Sequence, residues 1–248
     1  TLEMIPQTGA TPEMAEQLTS LFSPDLPTGT GIQVTLFAEP DINWATNAYI
    51  ASRTPHFLAT ENKQSAAQTL THLAHERVRY LNHGVHHGLS AGSHFRVRHY
   101  RAWVSVAIPL GNKELFSTVE RAKKERERLI TLLKSQYLYS HTWEAQDLYL
   151  TVRTILNAHK DPSDLKTRAR PNSRDLLSLG LMDPDTRMRI KEEAIELSSA
   201  HTDRSVSLTG LSVTGYPGDY ALALTRRFIG NKALDIPCPF LVTCAVSM

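Results

Sequence analysis

Phe95-Arg-Val-Arg-His-Tyr-Arg-Ala-Trp-Val-Ser-Val-Ala-Ile108, closed by Pro109, decides how this sequence is read. It is rich in β-branched and aromatic residues and stops at a residue that cannot donate to a ladder, so it predicts a strand. Tyr100, Ala102, Val104, Val106 and Ile108 share one parity and belong on one face of a sheet. Ahead of them the parity reverses: Phe95 and Val97 are apolar, Arg96 and Arg98 basic. A strand changes its buried face only through a bulge or bend, which places one near His99. The rest of the chain is expected to form layers around this strand.

Towards the N-terminus, residues 1–30 read as loose and proline-punctuated, with one helix inside. Thr11-Pro12-Glu13 supplies an N-cap and a first-turn proline, and Met14, Ala15, Leu18, Leu21 and Phe22 follow at helical spacing. Ser23 to Gly29 makes a turn. Ile32 to Ala38 alternates as a strand with one buried side, broken by Glu39-Pro40-Asp41. From Ile42 to about Leu81 the pattern is helical, interrupted at Pro55. Ala67, Leu70, Ala74, Val78 and Leu81 mark its buried stripe, and Gly84 is its expected C′ glycine, followed by a loop.

Towards the C-terminus, a long helix is expected from about Glu114 to Tyr137, with Leu115, Val119, Ala122, Leu129 and Leu133 inward. Its middle, Glu120 to Arg128, mixes charges at i,i+4 spacing as a solvated face does. Thr142 is the expected N-cap of the next helix, with Leu148, Val152, Ile155 and Leu156 buried and an end near His159. The polar, proline-marked tract from Lys160 to Ser173 reads as an exposed loop that joins subregions 1–160 and 175–248. Thr186 to Ile190 reads as a strand with Met188 and Ile190 inward. Arg204 to Tyr216 is strand-like, with a bend at Gly210. Tyr220 to Ile229 reads as a helix, and Phe240 to Ser247 as a strand with Phe240, Val242, Cys244 and Val246 on one face. Together these elements predict an α+β fold: a mixed or antiparallel sheet with helices packed on it.

The 248 residues are 41% hydrophobic, enough for a real core, and the net charge of +2 is too small to argue for nucleic acid from bulk electrostatics. The two cysteines, Cys238 and Cys244, are expected to be reduced core thiols in a cytosolic setting. No apolar run approaches the ~20 residues of a membrane span. The chain opens on Thr1 and closes on Met248 at the end of a strand, which suggests a piece of a longer protein.

No phosphate-binding loop, dinucleotide fingerprint or nucleophile elbow occurs, so no catalytic or cofactor-binding residue is assigned and no complete nucleotide-binding domain is expected. Five histidines, His72, His75, His83, His86 and His87, crowd one helix end. A metal-binding enzyme built on them is one alternative reading, but no cysteine or paired carboxylate joins them and no metal ligand is assigned. Arg96, Arg98, His99 and Arg101 form a basic patch interleaved with Tyr100 and Trp103. Its plain reading is a charged sheet edge; an acidic partner surface, anionic lipid or a nucleic-acid backbone are the alternatives.

The order of several blocks resembles the N-terminal region of TraC-type ATPases, the VirB-related motors of conjugative type IV secretion systems. These blocks are Pro24-Asp-Leu-Pro-Thr-Gly-Thr-Gly-Ile-Gln-Val34, the basic-then-apolar Phe95 to Pro109, and Asp185-Thr-Arg-Met-Arg-Ile190. Tyr216-Pro-Gly-Asp-Tyr220 and Asp235-Ile-Pro-Cys-Pro-Phe-Leu-Val-Thr243 complete the set. The resemblance implies a non-catalytic docking domain over residues 1–248, followed by an ATPase domain that would hold ATP and Mg. It also implies a cytoplasmic place against the bacterial inner membrane, with secretion-channel components, the protein's own ATPase domain and further copies in a homo-oligomer as partners. The expected partner-facing residues are Arg96, Arg98 and Arg101 on the strand and Lys123, Lys124 and Arg128 on the charged helix.

Overall fold

The computed structural model describes residues 1–5, 11–22, 26–53, 61–90, 95–109, 115–160, 180–211 and 238–247. The turn at Ser23 to Asp25, the break at Pro55, the tract from 161 to 179, the strand beyond Leu211 and the helix Tyr220 to Ile229 lie outside the described residues. The described elements are five α-helices, one 3₁₀ turn and two antiparallel sheets, an α+β fold as expected. None of these helices is long and apolar enough to cross a membrane. The chain divides into two compact units, each assembled from separated segments.

The first unit comprises Thr1–Glu39, Arg98–Trp143 and Cys238–Met248. Its strands are β1 (Leu2–Met4), β2 (Gly31–Glu39), β3 (His99–Ala107), β4 (Ser140–Thr142) and β8 (Phe240–Ser247). They lie in the order β4-β1-β3-β2-β8, which puts β3 at the centre. β2 and β3 pair without interruption from Glu39↔His99 to Gly31↔Ala107. The bulge expected near His99 is therefore absent. The parity change falls where the strand begins, because Phe95 to Arg98 are not in the ladder at all.

One sheet face carries Leu2, Met4, Ile32, Val104 and Val106. Helix α1 (Pro12–Leu18), its 3₁₀ extension Thr19–Phe22 and helix α4 (Leu115–Ser135) bring Leu18, Leu21, Leu129 and Leu133 into clusters with these residues. The α1 cap is as expected: Thr11 Oγ1 accepts from the Met14 amide at 3.2 Å, with Pro12 at the first helical position. The opposite face is also buried, at Thr35, Phe37, Glu39 and Trp103, so β2 is covered on both sides rather than one. Two short strands escaped the sequence reading: β1 in the opening taken as loose, and β4, which occupies Thr142.

Thr142 therefore does not cap a helix. In the second unit, Pro40–Val97 and Glu144–Pro237, helix α5 (Ala145–Leu156) starts from Glu144, whose amide donates to Asp147 Oδ2 at 2.8 Å. Its buried side is Tyr149, Thr151, Arg153 and Thr154, while Leu148 is exposed. Helix α2 (Asn43–Arg53) precedes α3 (Glu61–His87). α3 buries Ala74 and Val85 but exposes Leu70, and it passes straight through Gly84. The left-handed residue after it is Gly88, with φ 84°. Gly84 is small for another reason: a Cβ there would stand 2.5 Å from Leu89 Cδ2 and 3.0 Å from Val97 Cγ2.

Strands β5 (Thr186–Ile190), β6 (Ile195–Ser199) and β7 (Ser205–Leu208) form the second sheet. Met188 and Leu197 pair on its apolar face, as do Ile190 and Ile195. Leu197 is fully buried, but Met188 and Ile190 are exposed, against expectation. A three-stranded sheet has only one central strand, and β6 takes that place.

Candidate interaction surface

The C-terminal half of helix α4 packs on the sheet, and the side chain of Leu115, expected inward, lies outside the described residues. Leu129 and Leu133 are buried, yet Val119, placed on the same stripe by spacing, is 42% exposed. Between α4 and strands β1 and β3 runs a groove of about 370 Å³. Leu2, Val104 and Val106 form its floor, with Val119 and Ala122 beside them and Lys123, Glu125 and Arg126 at its rim. The charged face outside the groove is partly neutralised within the helix. Lys123 meets Glu120 at 2.8 Å, Arg126 meets Glu127 at 2.9 Å, and Arg128 meets Glu125 at 2.7 Å. Arg128 Nη1 also donates to the Ser20 carbonyl at 3.0 Å, which ties α4 to the 3₁₀ turn. Lys124 is exposed.

The basic residues around β3 do not form one patch. Arg96 and Arg98 precede the strand and are half-buried. Arg101 points into its own unit. Its Nε and Nη2 donate to Glu3 Oε1 and Oε2, both at 2.7 Å, and Nη1 lies 3.5 Å from Glu39 Oε2. The guanidinium sits 5.8 Å from the Trp103 ring centre and 5.6 Å from that of Trp143. Trp143 Nε1 donates to Glu3 Oε2 at 2.6 Å, and His99 Nδ1 lies 3.6 Å from Glu39 Oε2. Register explains the grouping: Glu3 pairs with Trp103, Phe37 with Arg101 and Glu39 with His99, so all face one side. Burial disfavours the Glu3 carboxylate, but Arg101 and Trp143 outweigh it and hold its pKa below the ordinary value. Burial likewise opposes the Arg101 charge, and Glu3 with Glu39 reverses that, raising its pKa. Sequence spacing gave no sign of these partners, which lie on other strands.

A second polar cluster closes the end of α5. Asn157 is fully buried. Its Nδ2 donates to the carbonyls of Arg153 and Leu181, both at 2.8 Å, and its Oδ1 accepts from the Asp183 amide at 2.9 Å and Thr186 Oγ1 at 2.6 Å. Arg153 pairs with Asp183 and donates to the Gly180 carbonyl. Lys160 bridges Asp183, at 2.8 Å, and Asp185. Burial works against the Asp183 carboxylate, but Lys160 and Arg153 hold its pKa down. Buried His159 has no hydrogen bond at either ring nitrogen, and burial together with Lys160 pushes its pKa below the ordinary value.

The histidines singled out by sequence stay on α3. His83 stacks on His87 with ring centres 4.7 Å apart, and His72, His75, His83, His86 and His87 are exposed. Among the described residues no three His, Cys, Asp or Glu side chains converge as metal ligands would. Both cysteines are free and exposed rather than in a core, because β8 is an edge strand and Cys238 precedes it.

Compared with known proteins, the chain matches one family model, described as TraC protein, over residues 1–248. No curated protein and no solved structure matches it.

Proposed function

We propose, for a chain that belongs along residues 1–248 to the TraC protein family of conjugative type IV secretion, a non-catalytic docking and assembly role. In this reading the chain ties a hexameric ATPase motor, whose own domain binds ATP and Mg, to inner-membrane components of the secretion channel. It works in the cytoplasm against that membrane. The single observation that carries the reading is the α4 groove: exposed Val119 above an apolar floor, beside a helix whose rim bears Lys123, Glu125 and Arg126 and whose outer face bears Lys124. An apolar anchor flanked by acidic residues is the complementary ligand.

Arg96 and Arg98, half-buried ahead of β3, are proposed as partner-facing in their own right, and Arg128 braces α4 through the Ser20 carbonyl. Arg101 is not part of that surface: Glu3 and Glu39 engage it on the sheet face opposite the one α4 packs against. The test is capture of an inner-membrane channel component by the purified chain carrying Lys123→Glu and Lys124→Glu together. The expected result is loss of capture with an unchanged unfolding midpoint. Undiminished capture would remove α4 from the docking surface.

A further inference from the structure

The two edges of the five-stranded sheet differ. At one end β4 is three residues long and polar, Ser140-His-Thr142, an edge too short to recruit another strand. At the other end β8 runs for eight residues, Phe240-Leu-Val-Thr-Cys-Ala-Val-Ser247, with no charge, no proline and an unbroken ladder to β2. Among the described residues nothing pairs with its outer side. Leu241 is 43% and Val246 41% exposed, on opposite faces of the same strand. Next to it on β2, Val34, opposite Cys244, is exposed as well. Edge strands normally carry a lysine, a proline or a bulge to prevent pairing, and β8 carries none of these.

We propose that the outer edge of β8 is a self-association site at which β8 of a second copy pairs antiparallel, joining two sheets into one. A row of unpaired backbone amides and carbonyls is satisfied by an extended strand, which fixes the chemistry of the occupant. The sequence of β8 favours a copy of itself. A two-fold axis normal to the sheet keeps each face on its own side, so one residue must lie opposite its own copy. Centred on Cys244, this register sets Val242 opposite Val246 of the second copy and Thr243 opposite Ala245 of the second copy. Cys244 then meets Cys244. The apolar face that carries Ile32, Leu36, Val242 and Val246 continues across the junction. Matched β-branched pairs on one face are the unit of sheet stability. No charge on β8 selects a different strand. One edge pairing covers less than the ~1,200 Å² of a stable interface, so the association is reversible and depends on concentration. This contact is separate from the α4 groove and does not depend on docking there.

The experiment uses the purified chain with Cys238→Ser, leaving Cys244 as the only thiol. Sedimentation velocity is expected to show a reversible monomer–dimer equilibrium, and mild oxidation a covalent dimer through Cys244. Cys244→Lys places two ammonium groups opposite each other and is expected to weaken association by roughly tenfold or more. Should Cys244→Lys fail to fold by circular dichroism, Ala245→Lys takes its place. A chain that stays monomeric overturns the proposal. So does a dimer that Cys244→Lys leaves intact, or one that forms no Cys244 cross-link. Capture of the channel component by Cys244→Lys remains unchanged, which separates this result from a failure of the docking reading.

Discussion

Arg101 holds Glu3 by two parallel hydrogen bonds of 2.7 Å, joining the central strand to the short strand at the start of the chain. The fork geometry of a guanidinium matches a carboxylate, and Trp143 completes the Glu3 shell from a third segment. β1 contributes only three residues to its ladders, so this pair is a large part of what fixes it. Removing one partner leaves a mostly buried charge without its mate. Arg101→Leu is expected to cost about 3–5 kcal/mol in urea unfolding. Glu3→Leu on the Arg101→Leu background recovers part of that loss, because the orphaned carboxylate is gone. A double variant no more stable than Arg101→Leu alone would show that Glu3 pays no such penalty.

Stability is expected to fall with acid in two stages. His159 has a folded pKa below its ordinary value, so its contribution is complete above pH 6.5 and declines as the pH drops from there towards the folded value. Glu3 is also depressed, so its contribution is complete above pH 4.5 and declines below that. Unfolding free energy measured from pH 8 to pH 3 is expected to show both declines. His159→Phe removes the upper one, and Glu3→Gln weakens the lower one, to which Asp183 and Asp185 also contribute below pH 3.8.

Asn157 makes four hydrogen bonds and has no further capacity. Asn157→Ala leaves several buried backbone groups unpaired, with an expected loss of about 2–4 kcal/mol. Hydrogen exchange gives the local reading: the Asp183 amide, which donates to Asn157 Oδ1, loses protection ahead of the amides of β3.

Tyr137 follows α4 with φ 58°, in the place where glycine usually ends a helix. The Leu138 amide reaches the Leu133 carbonyl at 2.9 Å and the Tyr137 amide reaches Lys134 at 3.0 Å, the bond pattern of a left-handed cap. The ring is 77% exposed and adds little burial. Tyr137→Gly is expected to raise stability by about 1 kcal/mol by removing the left-handed penalty. A lower thermal midpoint would refute this account of the cap.

Gly84→Ala sets two effects against each other. The helix gains about 1 kcal/mol in propensity, while the new methyl meets Leu89 and Val97. The collision is expected to win by about 1 kcal/mol. On a Leu89→Ala background, which withdraws the nearer group, the same substitution becomes stabilising, and a thermal double-mutant cycle reads the change of sign.

The strand at the centre of the sheet was legible because five residues of one parity, Tyr100 to Ile108, ran up to a proline. Its start was misplaced because Phe95 to Arg98 have strand-like composition, and composition does not say where a ladder begins. β1 and β4 are three residues each, too short for any period to register. Thr142 is a better capping residue than Glu144, but its backbone is committed to pairing with Leu2. The α4 face was legible from its charges. The inward turn of Arg101 was not, since it depends on Glu3, 98 positions away, and on Glu39 across the ladder.

β8 pairs with β2 over a separation of 208 residues, measured at the Thr35–Thr243 contact. The first unit is thus interrupted twice by the second, and its sheet has a provisional edge at β2 until the last strand emerges from the ribosome. Closing so long a loop costs entropy before any ladder bond repays it. During synthesis the ladder of β2 and β3 must wait, half-complete, while residues 144–237 of the second unit are made. Completion of this sheet is therefore governed by the arrival of β8, and a chain stalled or clipped before it exposes the apolar flank of β2 as a nucleus for aggregation.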